Sequence, residues 1–147
     1  MRGFGAKDVH PNVRIKMDKN KLKKDQLCLL KRVEMQELEA KKFGFYWENV
    51  HQLIDQVQSE CKEIQEALTE GDISHLQEEV GDLIQAAISL AVFCSLDPHE
   101  TLLKSIDKFQ KRYDALVALA RRDGHEHLHQ KSFDVLMEYW KRAKQHQ

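Results

Sequence analysis

The chain has 147 residues, a length that suits one domain with one hydrophobic core. Hydrophobic residues make up 41% of the chain and charged residues 32%, and the formal net charge is −1. A charge so close to neutral gives no reason to expect a nucleic-acid partner or a membrane-surface partner. No apolar run approaches the roughly 18 residues that span a bilayer, and the N-terminus lacks the apolar segment of a secretory signal.

The cysteines Cys28, Cys61 and Cys94 are odd in number, lie far apart and form no C-x-x-C pair. This pattern favours buried, reduced thiols over a disulfide framework or a zinc site. We therefore expect a cytoplasmic protein.

Hydrophobic periodicity predicts an all-α domain at residues 24–147, after an irregular N-terminal arm at residues 1–23. The arm mixes Gly, Pro, Asn and Lys without a period, and the chain as a whole has too few prolines and glycines for a many-stranded fold. The predicted helices cover about residues 24–41, 48–68, 74–94, 97–122 and 132–144.

Three helix ends carry capping residues. Gly71 is predicted to end the second helix, and Ser74 to cap the third, with Gln77 completing a capping box. Asp97 is the predicted cap of the fourth helix, with Pro98 in its first turn.

Two acidic pairs, Glu60 with Glu63 and Glu79 with Asp82, each have the i, i+3 spacing that puts both members on one side of a helix. Because the connection between their helices is short, the helices should form an antiparallel hairpin. Both pairs are placed symmetrically about Gly71 in the turn. Glu63 should therefore lie level with Glu79, and Glu60 level with Asp82, so that the four carboxylates converge.

Four facing carboxylates repel one another unless a cation neutralises them. Mg²⁺ suits such a site, since it binds a few carboxylates and keeps waters and phosphate oxygens as its other ligands. We expect Mn²⁺ to be able to replace it. The alternative is that these are solvated charges, since the chain has 24 acidic residues. A second pair on the matching edge at mirrored height favours the metal site.

A basic row on the fourth helix, Lys104, Lys108 and Arg112, has the spacing of one stripe. Such a row binds phosphate oxygens that a metal leaves free, although solvated basic rows are common. On the last helix, Trp140 is placed to stack on a nucleobase and Lys144 to reach a phosphate. A place in the core is the alternative for Trp140.

The histidines 125, 127 and 129 alternate in a predicted loop with no cysteine nearby. We interpret them as a solvated loop rather than a transition-metal site.

With these motifs the chain resembles the MazG nucleotide pyrophosphohydrolases, part of the all-α NTP pyrophosphatase superfamily, over about residues 24 to 144. The family pattern is E-E-x-x-E followed by E-x-x-D, then K-F-x-x-R and a closing W-x-x-x-K. The matching stretches here are residues 59–63, 79–82, 108–112 and 140–144. The chain departs from the pattern at Ser59, which replaces the first glutamate, and at Ile106, where many members carry asparagine.

The resemblance implies a four-helix-bundle-like fold with an additional N-terminal helix, whose core is completed in a homodimer or homotetramer. It also implies Mg²⁺-dependent hydrolysis of an NTP or dNTP to the monophosphate and pyrophosphate, in house-cleaning of the nucleotide pool. The implied metal ligands are Glu60, Glu63, Glu79 and Asp82. Among them Glu63, with Glu60, is the candidate for catalysis, helping to remove a proton from the attacking water. The implied nucleotide-binding residues are Lys108, Arg112, Trp140 and Lys144.

Two other functions stay open at this stage. Ser59 and Ile106 favour a module that senses nucleotides without hydrolysing them. The N-terminal arm is the feature that favours a structural helical protein acting through partners. The residue pattern does not select one NTP or dNTP as the substrate.

Overall fold

The computed structural model describes the backbone of residues 19–145 and the side chains of residues 29–145. Within that range the chain is all-α, with five helices and no strand, as predicted. The first 18 residues of the predicted arm lie outside the described residues. The helices are α1 (Lys19–Phe43), α2 (Val50–Glu70), α3 (Ile73–Phe93), α4 (Pro98–Arg122) and α5 (Phe133–Gln145).

α1 begins at Lys19, five residues before the predicted start. Its first turns are rich in lysine, which forms helix well but gives no apolar period from which a helix can be recognised. Its end is sharp, because Gly44 adopts a positive φ of 99° and the Phe45 N–H donates to the Ala40 carbonyl at 2.9 Å. This reversal suits glycine, and it starts the connection to α2.

α2 and α3 form the predicted antiparallel hairpin, and Gly71 ends α2 in the left-handed conformation with φ 73°. The predicted cap of α3 is wrong by two residues. Asp72, rather than Ser74, precedes the helix, and its carboxylate accepts from the N–H groups of Ser74 and His75 at 2.9 and 3.1 Å. An aspartate directly after the turn accepts from two of the free N–H groups at the start of the helix. The helix therefore begins at Ile73, the residue that follows Asp72.

α3 is the central helix of the fold. It packs against α2 along most of its length, and also against α1 and α4, whereas α1 and α2 do not pack against each other within residues 19–145. Leu53 of α2 is fully buried, and Ala67 of α2 is buried together with Ala86 and Ser89 of α3. Because α1 and α2 flank α3 without touching, they leave a cleft between them.

α4 and α5 form a second hairpin with a small core of its own. Asp97 caps α4 by accepting from the Glu100 N–H at 2.7 Å, and Pro98 lies in the first turn, as predicted. The core of this hairpin consists of Leu119, Ala120, Tyr139 and Ala143.

Asp123, at the end of α4, ties the two helices together. Its carboxylate accepts from the Arg142 guanidinium at 2.8 Å and from the Tyr139 hydroxyl at 3.0 Å. The hydrogen bond from Arg142 lowers the pKa of Asp123, and the Tyr139 bond lowers it further. Burial, together with Asp123, raises the pKa of Tyr139. The hairpin is therefore held by one ionised carboxylate with two donors.

The apolar side of α4 is largely exposed in the single chain. The exposed apolar residues of this face, which we call the α4 face, are Leu102, Leu103, Ile106, Phe109 and Tyr113. The expectation of buried thiols is also wrong for Cys61 and Cys94, which are exposed. Cys61 lies on α2, which packs only against α3 among the described helices, so much of its surface stays open.

No single helix in residues 19–145 is long and apolar enough to cross a membrane. α3 and α4 pass that test of length and composition only as a pair, across a bend of 112°.

Candidate metal site and adjoining cleft

Three acidic side chains meet where α2 faces α3. One carboxylate oxygen each from Glu60, Glu79 and Asp82 lies within 4.8 Å of the others. Glu60 is only 5% exposed and Glu79 only 7% exposed, whereas Asp82 is open to solvent. Acidic side chains are rarely buried unless a cation or strong donors accompany them. We call these three residues the carboxylate cluster.

Glu63, the fourth predicted ligand, lies one turn along α2 and outside this 4.8 Å group. Its Oε1 accepts a hydrogen bond from the Ser59 hydroxyl at 3.0 Å. It is nevertheless close enough to Glu79 for its negative charge to be the second cause, after burial, of the raised pKa of Glu79. The structure thus brings three of the four predicted acids together and leaves the fourth beside them.

Two side chains support the buried acids. The Gln56 amide donates to Glu60, one helical turn away. His75 lies between two carboxylates, with Nε2 3.0 Å from Glu79 and Nδ1 2.9 Å from Glu70. The hydrogen bond with Glu70 is the main reason why the pKa of His75 is raised. Sequence reasoning missed both residues, although each stands four positions before the acid that it supports.

The chemistry of the carboxylate cluster fits a hard divalent cation. Its donors are all carboxylate oxygens, the ligand type that suits Mg²⁺ and Mn²⁺. Burial and the negative charges of Glu63, Glu60 and Asp82 all raise the pKa of Glu79. A bound cation would relieve this unfavourable concentration of negative charge.

A cleft of about 710 Å³ adjoins the cluster, between α1 and α2 and above α3. Its size lies within the range of small-molecule sites. Glu60 and Asp82 belong to both the cluster and the cleft wall. The other lining residues are Glu37, Ala40, Phe45, Tyr46, Trp47, Glu48, Gln52, Leu53, Gln56, Gln85, Ala86 and Ser89.

The aromatic wall of the cleft comes from the short α1–α2 connection. Phe45 is 78% exposed and Tyr46 61% exposed, while Trp47 is half-buried. Gly44 ends the helix before this segment, and Asn49 caps the next helix by accepting from a backbone N–H at 3.2 Å. Sequence reasoning assigned base stacking to Trp140 instead.

The predicted nucleotide-binding residues Lys108, Arg112, Trp140 and Lys144 all lie on the α4–α5 hairpin, and none lines the cleft. Neither α4 nor α5 packs against α2 within residues 19–145. The Trp140 ring packs 5.5 Å from that of Phe109, an arrangement that fits its structural alternative. A phosphate-binding or base-binding role for these four residues stays a prediction.

The histidine loop contains a close ring pair, with the centroids of His127 and His129 4.8 Å apart. In the described part of the chain, no group of three potential metal ligands includes either histidine or His125.

The hairpin of α2 and α3 lies within a segment that matches a known protein family. The family model of the MazG nucleotide pyrophosphohydrolase domain matches residues 48–117, a segment that contains all four acidic residues. The chain therefore carries a MazG-type segment that includes α2, α3 and most of α4.

Two curated relatives share parts of this sequence. The nucleoside triphosphate pyrophosphohydrolase/pyrophosphatase MazG of Thermotoga maritima is 33% identical over 105 residues, which are 71% of this chain and 40% of the relative. The uncharacterized protein YabN of Bacillus subtilis is 32% identical over 71 residues, 48% of this chain and 14% of the relative. The matched part of the chain therefore covers less than half the length of each relative.

The two departures from the MazG pattern lie in different surroundings. Ser59 stands beside the carboxylate cluster, where its hydroxyl holds Glu63. Ile106 is exposed on the α4 face and does not line the cleft. The loss of one MazG glutamate thus leaves a neutral donor next to the remaining acids, which lowers the negative charge of the site by one.

We expect Glu79→Gln to raise the midpoint temperature of unfolding in EDTA. Burial and three acidic neighbours disfavour the charge of Glu79 in the folded state, so removing that charge should stabilise the fold. Glutamine keeps the shape and an oxygen that can accept from His75. Thermal unfolding followed by circular dichroism measures the shift.

The matched control is Glu78→Gln, which removes the same charge from an exposed position next to it on α3. It should leave the midpoint almost unchanged. Mg²⁺ should then stabilise the wild type more than Glu79→Gln. An equal or lower midpoint for Glu79→Gln in EDTA would show that the cluster does not carry unfavourable repulsion.

Proposed function

We propose that this protein hydrolyses nucleoside triphosphates to the nucleoside monophosphate and pyrophosphate, with Mg²⁺ at the carboxylate cluster. The observation that carries the proposal is the convergence of Glu60, Glu79 and Asp82 within 4.8 Å, with two of them buried, at one end of a nucleotide-sized cleft. The match to the MazG domain and the activity for which the Thermotoga relative is named support the same reaction.

The substrate would lie along the cleft, with its phosphates at the cluster and its nucleoside towards the aromatic wall. Tyr46 and Trp47 offer flat apolar surfaces on which a base can stack. The cleft wall is acidic at Glu37, Glu48, Glu60 and Asp82, so bare phosphates would be repelled from it. This charge explains why the triphosphate should enter together with a divalent cation.

The residues that would hold Mg²⁺ are Glu60, Glu79 and Asp82, with Glu63 as a fourth ligand or as a base beside them. A bound Mg²⁺ supplies Lewis-acid stabilisation of phosphate oxygens and lowers the pKa of a coordinated water. Glu63 is the candidate to accept a proton from the water that attacks the α-phosphorus. The Ser59 hydroxyl holds one of its oxygens and leaves the other for that proton.

House-cleaning of the nucleotide pool and a cytoplasmic location are parts of the same proposal. The substrates of a pyrophosphohydrolase that acts on free nucleotides are found there, and Mn²⁺ should support the reaction in place of Mg²⁺ because it accepts the same oxygen ligands.

Glu63→Gln and Asp82→Asn should keep the fold and reduce pyrophosphate release from dNTPs by about a hundredfold or more. Each removes a carboxylate from a site where charge stabilises the transition state. A coupled assay for pyrophosphate, run over a panel of NTPs and dNTPs, measures the effect. Glu66→Gln, at an exposed position one turn further along α2, is the control and should retain activity.

Near-normal turnover by either variant would refute these assignments. A nucleotide-sensing module would give a different result, in which a non-hydrolysable dNTP with Mg²⁺ raises the unfolding temperature of the wild type but no dNTP releases pyrophosphate. A purely structural helical protein would show neither response.

The assembly that we propose is a homodimer, or a pair of such dimers, in which a second copy covers the α4 face. About half of the surface of Leu102, Ile106, Phe109 and Tyr113 is exposed in the single chain. These positions form one stripe at helical spacing, and contiguous apolar patches of this kind usually mark an interface. Lys108 and Arg112 lie on the same helix, so dimer formation would also fix the position of the predicted phosphate ligands.

Leu102→Glu should shift the protein towards monomer, because it puts a charge into the apolar stripe. Sedimentation equilibrium of the wild type should give two or four times the chain mass of 17.2 kDa. Thr101→Glu introduces the same charge at the adjacent exposed residue and should leave the assembly intact. A wild type that sediments as a monomer at micromolar concentration would rule out this interface.

A further inference from the structure

Glu37 is an acidic residue of the cleft that belongs to no metal group and that the proposed chemistry does not use. It lies on α1, half-buried, and it lines the cleft together with Ala40 of the same helix. Its Oε1 accepts a hydrogen bond from the hydroxyl of Ser89, a residue of α3 that is only 4% exposed. This bond fixes the carboxylate of Glu37 against the floor of the cleft.

Glu37 and the carboxylate cluster lie at different positions along α3. Ser89, its partner, stands seven residues after Asp82, which corresponds to about 10 Å along a helix axis. Glu37 is therefore too far along the cleft to share a metal ion with that cluster. The separation is comparable with the length of one nucleoside. When the phosphates lie at the cluster, the base reaches the Glu37 end.

The other polar groups of the cleft wall discriminate poorly between bases. The amides of Gln52 and Gln56 are engaged by Glu48 and Glu60, respectively. The Gln85 amide has both a donor and an acceptor, so it can serve either kind of base edge. Tyr46 and Trp47 stack on any base, since every base has a π-face.

A carboxylate is different, because in its ionised form it only accepts hydrogen bonds. Ser89 is the only described side chain that donates to Glu37, which leaves further acceptor positions for a ligand. The exocyclic amino groups of cytosine and adenine are donors, whereas the corresponding O4 of thymine and uracil is an acceptor. A carbonyl oxygen placed against Glu37 would meet a second acceptor without a proton between them.

From this arrangement we infer that Glu37 is a specificity-determining residue that selects nucleotides whose base carries an exocyclic amino group over those that carry a carbonyl at that position. The inference rests on the proposed function, since it takes the cleft to be the nucleoside site. It assigns the choice of substrate to α1, a helix that contributes nothing to the carboxylate cluster.

The most direct comparison uses dCTP and dUTP, which differ in the amino or carbonyl group at C4 of the base. For the wild type, kcat/KM for dCTP should exceed that for dUTP by roughly tenfold or more, the usual effect of one hydrogen bond to a charged group. Glu37→Gln should bring the ratio close to one, since an amide can donate to the uracil carbonyl. Its side-chain oxygen can still accept from Ser89, so the fold should be kept.

Two control variants test whether the preference depends on the position of the negative charge that is removed. Glu39→Gln removes the same charge from an exposed site on α1 that does not line the cleft, and Glu48→Gln removes it from the exposed part of the cleft wall. Both should keep the preference for dCTP. Equal kcat/KM values for dCTP and dUTP in the wild type, or a ratio that Glu37→Gln leaves unchanged, would overturn the inference while the proposed function stands.

Calorimetric titration of the 147-residue chain with dCMP and dUMP gives a second readout that does not require hydrolysis. The wild type should bind dCMP more tightly by a similar factor, and Glu37→Gln should abolish the difference. This result would support the role of Glu37 even if the protein hydrolysed no dNTP. The absence of hydrolysis would contradict the proposed function but not the role of Glu37. Equal affinities of the wild type for dCMP and dUMP would overturn the role of Glu37.

Discussion

The proposed function depends on a concentration of like charge between two helices. The hairpin of α2 and α3 brings Glu60, Glu79 and Asp82 within 4.8 Å of one another and buries the first two. Such an arrangement opposes folding unless donors and a cation offset it. Gln56 and His75 supply part of that compensation. A divalent cation is the remaining partner that the geometry calls for, and the proposed reaction uses that cation.

The remaining helices have separable roles around this hairpin. α1 packs on α3 but not on α2, and so it turns the flank of the hairpin into a cleft whose far end holds Glu37. The α1–α2 connection adds an aromatic wall because a glycine and a capping asparagine fix both of its ends. α4 and α5 form a hairpin that Asp123 holds together, and this hairpin presents an apolar face outward. The proposed roles are therefore divided among the helices: metal binding belongs to α2 and α3, base recognition to α1, and assembly to α4.

The parts that sequence predicted well are those that depend on local spacing. The helices, the glycine at the turn and the pairing of α2 with α3 all follow from periodicity and from one short connection. The parts that it missed depend on how distant elements pack. Nothing near Glu37 indicates that it would meet Ser89. Cys61 was misplaced for the same reason, since the pattern does not reveal how many helices cover α2.

The most direct test of the account is a crystal structure grown with Mn²⁺ and a non-hydrolysable dNTP, with anomalous data collected at the manganese edge. The account predicts at least one anomalous peak about 2.1–2.2 Å from oxygens of Glu60, Glu79 and Asp82, with the α-phosphate beside it. Anomalous density elsewhere, or these side chains turned apart into solvent, would contradict it.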